Sequence, residues 1–423
     1  MIGNRVLSLF VGASLAAATL PAGEKAHRFE WTTKSAEAKQ LLTKLQMQIE
    51  NFQFGPANQE LADKIVAADP EFAIGMYYKA ATSPPPGNLE FYEKSRALAK
   101  NASDGERRFI EGLQHVWLNQ GVDFAKSIEP LEALAKDYPN ERIIQVILGQ
   151  LYNGNNQGEE AFKAFKRAKE IGPETARIDA FLAGHDLLEG KYAQARSTYQ
   201  AIEKRLPKGS VPFTIRFGIT FSHLYEGNVD AAIESVETYL SEYKANGLNQ
   251  QFPEVFIHNA IARINLENDR LDAAMTAYQK GYESVPGSSL PEDQKQTWLG
   301  RLHHGKARVL ARMGKHEQAW AEAETVRTMI EGGGETAKQY WPAYHYLAGY
   351  VKLEAGEYDQ AIEHLKQADP NDPFQTLLLA RAYEKAGKKN DAKQAYQKIV
   401  ASEWAGIERP LAYPEATRKV HEL

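Results

Sequence analysis

Arg301, His304, Arg308 and Arg312 recur at intervals of three and four, so on a helix all four side chains share one face. A row of guanidinium forks suits carboxylates, each of which it can grip with two parallel hydrogen bonds. The chemistry this suggests is recognition of acidic groups, and it stands out against its background. The 423-residue chain carries 50 Lys and Arg against 55 Asp and Glu, a net charge of -5. That balance argues against a nucleic-acid binder, because holding phosphate backbones calls for a basic excess.

The other reactive groups form no convergent set. His303 and His304 are adjacent, so a helix points them about 100° apart. With His316 further on and no third ligand at useful spacing, no metal site is expected. Gly332, Gly333 and Gly334 follow no strand and read as an interhelical loop instead of a phosphate cradle. There is no Gly-x-Ser-x-Gly elbow, no His-Glu-x-x-His and no acidic calcium loop. The chain has no Cys, which removes disulfides, thiolate zinc sites and a Cys nucleophile. The expectation is a protein that is not an enzyme and takes no cofactor. Trp31, Trp117, Trp298, Trp320, Trp341 and Trp404 are scattered and read as packing residues.

The elements that must carry the basic stripe are set by a period. Pro139, Pro173 and Pro207 fall 34 residues apart, each closing a helical pattern. Leu148, Gly149, Tyr152, Ala161, Phe165 and Ala168 recur in kind as Leu182, Ala183, Gly190, Ala195 and Tyr199 in the next period. Small residues let two antiparallel helices approach, and the large ones fill the space between them. Gly190 and Gly356 end a first helix through a left-handed backbone, and the proline stops the second. Each period is therefore a helical hairpin.

This pattern resembles the tetratricopeptide repeat family. The resemblance implies an all-α, right-handed superhelical solenoid of antiparallel helix hairpins, whose first helices line a concave groove. It also implies the residues that face inward. Asn259 and Arg263 come from the hairpin before the stripe, Tyr346 and Tyr350 from the hairpin after it, and Arg381 and Lys385 from the last. With Arg301, His304, Arg308 and Arg312 they make a basic, aromatic groove for a protein or peptide with acidic groups, the alternative being that the arginines pair with acids of adjacent helices and the tyrosines pack the core. A further run, Phe213, Phe217, Phe221 and Tyr225, reads as core ahead of groove wall. The Lys and Asn pattern of chaperone-binding members is missing, so no chaperone client is expected.

Residues 1–22 read as a signal peptide: one positive charge, an apolar run from Val6 to Leu20, then Pro21 and Ala22 before the polar chain begins. Export to a periplasm or beyond is expected, the alternative being a membrane anchor through an uncleaved N-terminus, the only part expected to touch a membrane. Residues 30–104 read as divergent hairpins or a cap, 105–404 as the solenoid with a bend at 242–253, and 405–423 as a tail or cap. The function expected is a non-catalytic, protein- or peptide-binding scaffold outside the cytoplasm, the alternative being an assembly subunit of a cell-envelope complex.

Overall fold

The structure is a computed structural model, which describes residues 28–84, 86–117, 123–207, 211–246 and 253–423. Among these residues there are helices and no strand. Residues 1–22, the expected leader, lie outside them. No described helix is long and apolar enough to cross a membrane.

The chain forms two compact units. The first comprises residues up to Thr43 and Ala57–Gly172, the second Lys44–Pro56 and Pro173–Leu423. The expected bend at 242–253 falls inside the second unit, with 247–252 outside the described residues. Helix α1 (Ala36–Glu50) contributes to both.

In the first unit follow α2 (Pro56–Ala68), α3 (Ala73–Thr82), α4 (Gly87–Ala99), α5 (Asp104–Gly112), a single turn α6 (Gln114–Trp117), α7 (Phe124–Asp137), α8 (Arg142–Gly154) and α9 (Gly158–Ile171). The pairs α3 with α4 and α8 with α9 pack along their lengths as hairpins. Gly149 shows why its position must be small: a Cβ there would come within 2.7 Å of the Phe165 ring. The unit is closed by its leading residues. Phe29 is buried, 4.9 Å from the Trp31 ring and 5.3 Å from the Tyr138 ring. It fits over Gly105, where a Cβ would clash with it at 2.2 Å. Beneath it the buried Glu106 carboxylate accepts from Thr32 N (2.6 Å) and Ile74 N (2.9 Å).

Among the described residues the second unit holds six hairpins. They are α10 (Ala176–Leu188) with α11 (Tyr192–Arg205), α12 (Phe213–Tyr225) with α13 (Val229–Asn246), and α14 (Glu254–Glu267) with α15 (Leu271–Glu283). Then come α16 (Glu292–Arg312) with α17 (His316–Gly332), a 3-10 helix at Glu335–Tyr340, α18 (Trp341–Glu354) with α19 (Tyr358–Leu365), and α20 (Pro373–Lys385) with α21 (Lys389–Val400). A last helix, α22 (Glu408–Glu422), follows. The end of α1 joins this unit by capping α10: Asn51 Oδ1 accepts from Ala176 N at 3.0 Å.

The hairpin reading holds in its particulars. Gly190 and Gly356 take φ of +77° and +79° where first helices end, and Asp269 adopts the same conformation after α14. First helices pack on one another, α10 on α12, α14 on α16, α16 on α18 and α18 on α20. Second helices make no comparable contact with their successors among the described residues. Such an arrangement curves with the first helices inside.

Candidate functional site

The basic stripe lies on α16, a 21-residue helix that starts after Pro291. The four side chains share a face as expected but sit at different depths. Arg301 is exposed, His304 and Arg312 are half-buried, and Arg308 is only 5% exposed. Arg308 is enclosed from both sides: Nη1 donates to the Tyr346 hydroxyl at 2.8 Å and Nη2 to the Tyr278 hydroxyl at 2.7 Å. Burial works against its charge, but the two phenol oxygens outweigh it and its pKa is raised. Tyr346 and Tyr350 are themselves buried, at 8% and 0% exposure. Arg308, Tyr346 and Tyr350 are therefore internal supports of the groove, not contact residues for a partner. A period of three and four assigns a face, not a depth, and that is why the sequence could not separate them.

Arg312 lies in a cluster of acids. It is paired with Asp269, lies 3.6 Å from Glu267 and 4.0 Å from Glu354, and reaches the Tyr350 hydroxyl at 3.5 Å. His304 stacks 4.9 Å from the Tyr346 ring, with Nε2 3.3 Å from the Ala343 carbonyl oxygen. Burial and then the Arg308 charge hold its pKa well below the ordinary histidine value. The ring is neutral at pH 7, and its Nε2–H donates to Ala343.

Arg263 and Arg381 each hold a carboxylate, and both carboxylates come from α22. Arg263 on α14 pairs with Glu408. Arg381 on α20 grips Glu415 with both prongs, Nε to Oε1 at 3.0 Å and Nη2 to Oε2 at 2.6 Å. Glu408 and Glu415 are seven residues apart, two turns of helix, and so share a face about 10 Å apart. Leu411 lies between them and packs into the cores on both sides. The second oxygen of Glu408 accepts from Trp404 Nε1 at 2.9 Å. Burial opposes the Glu408 charge, yet Arg263 holds its pKa below the ordinary value.

Beside the first pair, Arg409 is 3% exposed, donates to the Tyr225 hydroxyl of α12 at 2.8 Å and lies 4.3 Å over the Tyr413 ring. At the other end Lys419 reverses the polarity, meeting Glu384 of α20 at 2.6 Å. Helix α22 thus packs on α20 and α21 and also on α12, along the face lined by first helices. It does so with an internal proline, Pro414, which leaves one carbonyl without its helical donor and costs about 3 kcal/mol in a helix interior.

Two expected residues stay accessible. Lys385 is exposed at the end of α20. Arg301 lies 4.7 Å over the Trp298 ring and has no carboxylate partner among the described residues. Partial desolvation among its neighbours, and then the nearby Arg263 charge, lower its pKa from the usual guanidinium value, although the residue as a whole is exposed. With Asn259, Tyr282 and Trp298 it lines a shallow hollow between α14, α15 and α16. The run Phe213, Phe217, Phe221 and Tyr225 is partly core: Phe217 and Tyr225 are buried, and Phe213 and Phe221 pack on the core from its edge. Glu408, Glu415 and Arg409 were not singled out from the sequence, and Trp404 was read only as a packing residue. The signal that could have found them is the Glu-x-x-Leu-x-x-x-Glu spacing, complementary in charge to the stripe.

Residues 122–176 and 352–403 each match a family model described as tetratricopeptide repeat. These two segments are similar to tetratricopeptide repeats. The second matched segment takes in α19, α20 and α21, and so the repeat that bears Arg381 and Lys385. No curated protein matches the chain. Similar solved structures include a tetratricopeptide repeat protein from Parabacteroides merdae, 17% identical over 65% of this chain and 99% of that one, with a TM-score of 0.47. PilW, a widely conserved type IV pilus biogenesis factor, is 14% identical over 53% of this chain and 92% of its own, with a TM-score of 0.41. The Cut9–Hcn1 hetero-tetramer of the APC/C gives 16% identity, 84% and 65% coverage and a TM-score of 0.44.

Proposed function

We propose that the chain is a non-catalytic scaffold that works outside the cytoplasm and binds an acidic segment of another protein in the groove of its second unit. The observation that carries this reading is the paired geometry of Arg263 with Glu408 and Arg381 with Glu415. It supports a groove built to hold carboxylates on a helix, because two first helices three hairpins apart present guanidinium groups at the spacing of two helical turns. Arg301 supplies a further cation that the chain's own acids leave open. The extracytoplasmic location is supported by the leader-like composition of residues 1–22.

The test is capture from a native envelope extract on the full-length chain, with the Arg301→Glu variant in parallel. Captured proteins are identified and the purified candidate is titrated against both chains. Because Arg301 is exposed, the variant is expected to keep its stability within about 0.5 kcal/mol. Binding should weaken at least about tenfold, the scale of one charge-assisted contact. A partner that binds both chains equally would rule out the groove as its site.

A further inference from the structure

The groove assigned to a partner already has an occupant. Glu408, Leu411 and Glu415 of α22 meet Arg263, the apolar floor and Arg381. Three properties of the segment bear on whether it stays there. The first is that α22 has little reason of its own to be helical. It contains Pro410 and an interior Pro414, with Tyr413, Thr417 and Val420 among its weaker helix formers, and an isolated helix of 15 residues is marginal even without them. It is helical because the groove holds it.

The second is the kind of contact that holds it. The pairs Arg263 with Glu408, Arg381 with Glu415 and Lys419 with Glu384 all retain some exposure to water. An incoming helix that offers the same carboxylates replaces the two arginine pairs like for like, so exchange requires no lasting loss of either. The third is that α22 does not use every cation in the groove. Arg301 is exposed on Trp298, with the exposed Tyr340 close enough to act on its charge. A ligand can engage Arg301 while α22 is still docked, and so hold a cation that α22 leaves open.

We propose that α22 is an exchangeable occupant of this groove, displaced by a protein segment that folds there as a helix. That segment carries two carboxylates seven residues apart, an aliphatic side chain between them, and a third carboxylate N-terminal to the first, placed for Arg301. The inference rests on the groove reading above. The bound partner has the pattern of α22 with one acid added, and the free protein is closed by its own C-terminal helix.

The test uses the full chain and a fluorescein-labelled peptide of residues 404–423, titrated by anisotropy. In the variant Glu408→Gln with Glu415→Gln, α22 loses its two carboxylate contacts, keeping Lys419 on Glu384, and Arg263 and Arg381 are freed. This variant should bind the peptide at least about tenfold more tightly than the unmodified chain does. A peptide with the same two substitutions should bind neither. If variant and unmodified chain bind the peptide equally, α22 does not compete for the site: the exchange is overturned and the groove reading stands. If neither binds it, the groove reading falls as well. Amide hydrogen exchange on the unmodified chain decides the matter independently of the variant's folding. Residues 408–422 should exchange at least about tenfold faster than α20, and equal protection in the two helices would overturn the proposal.

Discussion

Each unit of the molecule is closed by a peripheral segment of chain, and the two closures are built from opposite materials. In the first unit, residues 28–33 are held by neutral donors: Thr32 N and Ile74 N on the buried Glu106, and Ser103 N on Thr32 Oγ1 at 2.7 Å. The Phe29 ring is seated among aromatics. No cation faces that carboxylate in any of its hydrogen bonds. In the second unit, α22 is held by carboxylates on guanidinium and ammonium groups at partly exposed positions. A carboxylate that satisfies backbone N–H groups in a dry site has no substitute, because each orphaned donor carries its full desolvation penalty. A carboxylate on an arginine that keeps some contact with water can be replaced by another carboxylate, or by water and salt. The first closure is a staple and the second a latch.

The sharpest way to break this contrast is Glu106→Ala, which orphans two backbone donors. It should destabilise the first unit by about 4 kcal/mol, by the usual penalty for buried unsatisfied groups. The readouts are the midpoint of denaturant unfolding and the exchange of residues 28–33, and the loss should not depend on salt. A loss below about 1 kcal/mol would mean that the staple is no stronger than the latch.

Acid should separate the two closures by sign. Arg263 holds the Glu408 pKa below its ordinary 4.5 in the face of burial, so its contribution is full above pH 4.5 and is lost as pH falls through the folded-state value. Burial pushes Glu106 above 4.5 despite its two backbone donors, so its folded form takes up a proton more readily, and acidification towards pH 4.5 favours the first unit. Hydrogen exchange, corrected for intrinsic rates, should show residues 408–422 losing protection below pH 4.5, by about 2 kcal/mol in all, while residues 28–33 keep theirs. Simultaneous loss in both segments would remove the distinction.

The smallest effect is that of salt. At about 1 M the Debye length shrinks to about 3 Å, and the exposed sides of the α22 pairs are screened. Exchange in α22 should quicken about fivefold, or about 1 kcal/mol, with residues 28–33 unchanged. Equal responses would show that the α22 pairs are as sheltered as Glu106.

The hairpins were legible because their signals are local. The proline period, Gly149 against Phe165, and the left-handed Gly190 and Gly356 each depend on residues within one repeat. The stripe on α16 was legible as a face for the same reason. What escaped was set by residues far apart in the chain. Arg308 and Arg301 are identical in pattern, yet Tyr278 and Tyr346 from the two neighbouring hairpins enclose the first and not the second. The acids that fill the groove join it across 145 residues at Arg263 and 34 at Arg381. A segment placed only as a tail or cap forms the helix that crosses the groove. The groove was read as a site for acidic groups, and the acids found on Arg263 and Arg381 are the chain's own.

Timing follows from the place of α22 in the chain. During synthesis the helices that present Arg263, Arg301 and Arg381 are all made before Glu408. At about 5–20 residues per second, the 15 residues of α22 take about 1–3 s to make. Whatever part of the groove has left the ribosome by then has no intramolecular ligand until α22 folds onto it. An acidic helix present at the site of synthesis meets it before the chain can compete, and a partner made alongside this protein would gain an access that the finished molecule grants only by exchange.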